Sequence, residues 1–160
     1  NSTINPNNIN IQLLEMLIHQ EINRVKKANN QPLVKKDRVL KKAAADQNNY
    51  QLKIGDLSHT QPSDGKKNVS ARIKFYGGEF QAMAENVLYD GFVIRTKGNE
   101  KQIIAPSYLD QAKKMVRSWM SSPGHRKNIL NPNYDMVGTS VGYHNELHSV
   151  FATQVFGKKI

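Results

Sequence analysis

The sequence predicts an α+β fold in which amphipathic helices pack on a mostly antiparallel sheet. Apolar residues recur at three- and four-residue steps at Ile11, Leu14, Leu17, Ile18, Ile22 and Val25, and again at Tyr108, Ala112, Met115, Val116 and Trp119, the period of helices with one buried face. Two β-rich runs, residues 136–143 and 150–156, flank a short polar turn and read as a hairpin at the centre of the sheet. With 160 residues, 38% hydrophobic and 22% charged, the chain has the size and composition of one globular domain.

Taken in order, residues 1–10 are polar and Asn-rich and are expected to be a flexible tether to a single domain over residues 11–160. Residues 9–28 form the first helix, stopped by the Asn29-Asn30-Gln31-Pro32 cluster. Asp37 is placed as the N-cap of a second helix carrying Val39, Leu40, Ala43, Ala44, Tyr50 and Leu52, with Gly55 as its stop. Residues 57–65 are loop by composition, and residues 69–76 make a short helix before Gly77-Gly78. Residues 80–89 read as a strand, with Glu85 inside it. A small hairpin about Lys97-Gly98-Asn99 is expected within residues 91–106.

The densest segment is Trp119-Met-Ser-Ser-Pro-Gly-His-Arg-Lys-Asn-Ile-Leu130. Pro123 cannot continue the preceding helix and Gly124 reaches backbone conformations closed to other residues, so His125 is expected at a defined turn. Arg126 to Leu130 then reads as one more helical turn before Asn131-Pro132-Asn133.

His59, Glu85 and His125 are the candidate site residues, because two imidazoles and a carboxylate make a nitrogen and oxygen donor set suited to zinc with an open position. His19, His144 and His148 are expected at the surface. No Gly-x-Ser-x-Gly elbow, phosphate-binding Gly-Lys-Ser/Thr loop or His-Glu-x-x-His helix occurs in the sequence. Ser58 beside His59, and Ser122 near His125, are neighbours in sequence only, which does not make a triad.

The Trp119 to Leu130 segment, together with Asn133-Tyr-Asp-Met-Val-Gly-Thr-Ser-Val-Gly-Tyr143, Phe151-Ala-Thr-Gln-Val-Phe-Gly157, Leu57-Ser-His-Thr60 and Ala84-Glu-Asn-Val87, resembles the bacterial form of the CAP superfamily. That superfamily is named for cysteine-rich secretory proteins, antigen 5 and pathogenesis-related 1 proteins, and is also called the SCP domain. The resemblance runs from about residue 13 to residue 157. It implies a three-layer α-β-α sandwich with a central, mostly antiparallel sheet. It also implies a cleft lined by two histidines and two glutamates, which in some members hold zinc or another divalent cation. His59 and Glu85 match one of each, although Ala84 stands where the Glu85 box usually has glycine. Ser122 and Phe151 stand at the other two positions, so half the tetrad has departed. His59 and Glu85 alone would hold a metal weakly, no firm cofactor is expected, and His125 is retained as a residue that approaches the same cleft.

A net charge of +10 attracts anionic surfaces, whether lipid headgroups or acidic glycans. The sequence holds no nucleic-acid recognition motif, so nucleic acid is not expected as a partner. The Lys26-Lys27, Lys35-Lys36, Lys41-Lys42, Lys66-Lys67 and Lys113-Lys114 pairs are expected on solvent faces. No run approaches the roughly 20 apolar residues of a membrane-spanning helix. Cysteine is absent, which rules out disulfides and thiolate chemistry in this segment and fits the bacterial branch. The first residue is Asn and not Met, in keeping with a leader removed on export. The expectation is therefore a secreted or surface-anchored, lipoprotein-type bacterial binding module without enzymatic activity. Its implied ligand is a host or envelope component such as a lipid, sterol or protein. A metal-assisted hydrolase using the cleft, and a basic adhesin for anionic glycans or lipids, are the alternatives.

Overall fold

The computed structural model describes residues 2–160. Two long helices open the chain, α1 (Ile11–Ala28) and α2 (Arg38–Ile54). The Asn10 side chain caps α1 by accepting from the Leu13 N–H, and Asp37 caps α2 by accepting from Val39 and Leu40. Gly55 closes α2 at φ 65°, a left-handed conformation that favours glycine. Between the helices lies a short strand, β1 (Lys35–Lys36), which the sequence pattern does not announce. Two lysines carry no alternation, and the strand exists because its backbone pairs in parallel with Met136 and Val137.

The remaining elements are α3 (Val69–Phe75), β2 (Phe80–Gly91), β3 (Val93–Lys97), β4 (Glu100–Ile104), α4 (Tyr108–Met120), α5 (Pro123–Leu130), β5 (Met136–His144) and β6 (Ser149–Lys159). Strands β3 and β4 form the expected separate hairpin. The main sheet has the order β1-β5-β6-β2 and is antiparallel except at β1. Its two central strands are the predicted C-terminal hairpin. Strand β2 is left as one edge.

Helices cover both faces. On one, Leu14, Ile18 and Ile22 of α1 and Ala112, Met115 and Trp119 of α4 pack on Val141, Ala152 and Phe156. On the other, Leu40, Ala43 and Ala44 of α2 and Ile73 of α3 pack on Val155. The result is the α-β-α sandwich. Trp119 is fully buried and donates its indole N–H to the Val87 carbonyl at 3.1 Å, tying α4 to edge strand β2.

Four local expectations differ from the structure. Within the Asn-rich opening, Ser2 to Ile4 are docked: Tyr108 N donates to Ser2 O, Ile4 N donates to Pro106 O, and Ile4 is buried. Asn1 lies outside the described residues. Lys26 is buried instead of solvated, with Nζ donating to Ile129 O at 2.8 Å, because α1 passes the open carbonyls at the end of α5. His125 sits in a helix and not a turn, since Pro123 starts α5 as well as following α4, its missing N–H costing nothing in the first helical turn. His19, His144 and His148 are half-buried; the His144 ring lies 5.9 Å from that of Phe151.

Candidate functional site

The site is assembled at the exposed edge of the sheet, where β2 runs between the two helical layers. Glu85 pairs across β6 with Val155, which puts its side chain on the α2 and α3 face of the sheet. Its side chain is only 3% exposed, so the carboxylate must be compensated. Both oxygens are engaged. Oε1 faces His59 Nδ1 at 3.0 Å, and Oε2 accepts from the guanidinium of Arg72, a residue of α3 that is itself fully buried.

Buried amides hold these groups in place. The apolar stripe Leu40, Ala43 and Ala44 continues along α2 as Gln47, Asn48 and Gln51, all buried. Gln47 Oε1 accepts from Arg72 at 2.9 Å and from Gln61 at 3.1 Å, while its Nε2 donates to the carbonyls of Ser58 at 2.6 Å and Thr60 at 3.2 Å. Gln51 Oε1 accepts from the Ser58 N–H at 3.1 Å. The loop bearing His59 is thus clamped on both sides of the imidazole. Position is set by α2, and charge balance by Arg72.

The His59 side chain remains 57% exposed. Its hydrogen bond to Glu85 raises its pKa above the ordinary 6.5, outweighing the effects of burial and of the Arg72 charge. His125 comes from the opposite layer. Asn86 Nδ2 donates to the His125 carbonyl at 3.2 Å, and Asn128 Nδ2 donates to Asn86 Oδ1 at 2.8 Å, fixing the first turn of α5 against β2. Burial lowers the His125 pKa, and the charge of His59 lowers it further. The two imidazoles are therefore electrostatic neighbours across the strand edge.

Phe151 has no ligand atom, and Ser122 brings a hydroxyl in place of a carboxylate. Ser122 occupies the N-cap position of α5 without a side-chain capping bond. Phe151, on β6, is fully buried and stacks at 5.6 Å on Tyr89, which lies on the same face of the sheet as Glu85 but farther along β2. Among the described residues, no group of three or more His, Asp or Glu side chains is arranged to hold a metal ion. A divalent cation at Glu85 would also sit beside the buried Arg72 guanidinium, whose charge opposes it. The residues present do not fit a zinc centre.

The sequence reading missed Arg72 and Gln47. Arg72 lies in a short helix with no periodic signal. Gln47 was detectable, since it falls at helical spacing on the buried stripe of α2.

The family model described as the cysteine-rich secretory protein family, CAP, matches residues 19–156. This chain belongs to the CAP family. Among solved structures, this CAP domain is similar to an SCP-domain extracellular protein of Bacillus anthracis, with 21% identity and a TM-score of 0.71 over 93% of this chain and 41% of that one. It is also similar to an outer surface protein of Borrelia burgdorferi, with 20% identity and a TM-score of 0.69 over 99% of this chain and 98% of that one. At these identities the likeness shows the fold. A shorter match, 52% identical over 44 residues, links 28% of the CAP domain to 16% of the uncharacterized protein YkwD of Bacillus subtilis. The domain thus spans a small part of YkwD and less than half of the anthracis chain. Among the described residues, no helix is long and apolar enough to cross a membrane.

Proposed function

We propose that this CAP domain is a binding module displayed outside a bacterial cell, secreted or anchored at its surface, with no catalytic chemistry of its own. The observation that carries the reading is the charge balance at Glu85. One oxygen is bound to His59 and the other to a buried arginine, so the charge of the cleft's carboxylate is already balanced, which disfavours its ligating a metal or taking a proton from water. The departed positions reinforce it, since Phe151 is core and Ser122 is a helix-start residue. The extracellular and outer-surface titles of two structural neighbours support the location. A host or envelope lipid, sterol or protein is the ligand class that fits the family.

One feature favours hydrolysis as a second reading. His59 bound through Nδ1 to a carboxylate, with most of its ring in solvent, has the form of a general base oriented by an acid. Peptide and ester hydrolysis by the wild type and the His59→Ala/Glu85→Ala double variant separates the two. The binding-module reading expects no turnover above background in either protein. Turnover in the wild type that disappears in the double variant would replace it with the enzyme reading.

A further inference from the structure

A cavity of about 450 Å³ opens at the other edge of the sheet, between α1, the start of α2 and strand β5. It shares no lining residue with the His59 and Glu85 cleft, and β6 separates β5 from β2 in the sheet. Its size falls in the range of small-molecule sites. The cavity exists because β1 ends at Lys36, leaving the edge of β5 that faces away from β6 without a strand partner from Gly138 onward. Gly138 also lets the first turn of α2 sit directly on the strand: a Cβ there would lie 2.1 Å from Lys41 N. Met16 and Val137 supply apolar wall, and Met16 is 39% exposed on α1 with no core role to account for it.

The polar groups in the wall are unevenly partnered. Glu15 is paired with Lys41, whose Nζ also donates to Thr139 O at 2.7 Å. Asp37 is committed to the α2 cap. Glu15 is thus balanced by Lys41, whereas the cap engages Asp37 through Oδ1. Lys36, Arg38 and Lys42 also line the cavity, and none has a carboxylate partner among the described residues, although Lys42 Nζ lies over the Tyr76 ring at 6.0 Å from its centroid. Four cations against two carboxylates leave the wall with a net positive charge. An apolar interior with a net cationic rim disfavours cations and suits a molecule with an apolar body and one anionic head.

We propose that this cavity is a second binding site, independent of the cleft, for a small anionic amphiphile whose tail lies against Met16 and Val137 and whose head meets Lys36, Arg38 and Lys42. The site stands whether the cleft binds or catalyses.

Calorimetry with decanoate, decyltrimethylammonium and decanol, each below its aggregation concentration, tests it on the intact chain. Decanoate should bind one to one and at least about tenfold tighter than the cationic amphiphile. Two variants probe the wall: Met16→Trp fills the apolar part from an exposed position, and Lys36→Glu/Lys42→Glu reverses the rim. Each should weaken decanoate roughly tenfold, with the circular dichroism spectrum unchanged to show an intact fold. Equal binding of both charged amphiphiles, no decanoate binding, or binding indifferent to both variants would overturn the proposal. So would loss of binding in His59→Ala with retention in Met16→Trp, which would place the ligand in the cleft.

Discussion

Among single residues, His59, Glu85 and Arg72 decide the character of the cleft by how they share charge. Because the Glu85 hydrogen bond raises the His59 pKa, protonated His59 stabilises the folded state. That contribution is complete below pH 6.5 and is lost as pH rises through the raised folded value. His125 has the opposite sign: its folded pKa is lowered, so its charging opposes folding as pH falls below 6.5 toward that lower value. NMR titration of the two imidazoles should find His59 above and His125 below 6.5, with Glu85→Gln bringing His59 down; coincident midpoints would contradict the geometry. The sequence exposes His59 and Glu85 as candidates, because their residue types carry chemistry wherever they stand. Arg72 is not legible in the same way. Arginine is ordinarily a surface residue, and only the position of α3 beside β2 shows that this one is buried against a carboxylate.

Among the helices and strands, periodicity and caps are informative wherever the signal is local. Asp37 and Gly55 bound α2 as propensity predicts, and the hairpin of β5 and β6 follows from alternation and a polar turn. What stays hidden depends on neighbours distant in sequence. Strand β1 is strand only through β5, Lys26 is buried only because α5 ends beside it, and the docking of Ile4 requires the segment before α4. Pro123 shows a different ambiguity, since a residue that ends one helix is equally fit to begin the next. Helix α2 comes very close to β5 at Gly138, where an added Cβ would meet the Leu40 carbonyl carbon at 2.2 Å. Gly138→Ala should therefore destabilise the fold by about 1–3 kcal/mol, read as a lower urea midpoint. A midpoint unchanged within error would mean that α2 is free to move off the strand.

Across the domain, the sheet separates two regions of different character. Its β2 edge carries a polar, charge-balanced cleft, and its β1 and β5 edge carries an apolar cavity with a net cationic rim. The net charge of +10 is spread over both layers, so weak attraction to anionic surfaces is expected of the entire domain and should fade as salt is added. On the proposed binding role, specific recognition comes from shape at one of the edges. At the β2 edge, Arg72 and His59 balance the charge of Glu85 and so disfavour a metal ion, and calorimetric titration of wild type and His59→Ala with zinc and magnesium at neutral pH puts that directly to the test. The wild type should show no saturable one-to-one binding beyond weak, nonspecific heats. A one-to-one zinc site of nanomolar affinity, lost in His59→Ala, would show instead that the cleft opens to release Glu85 from Arg72.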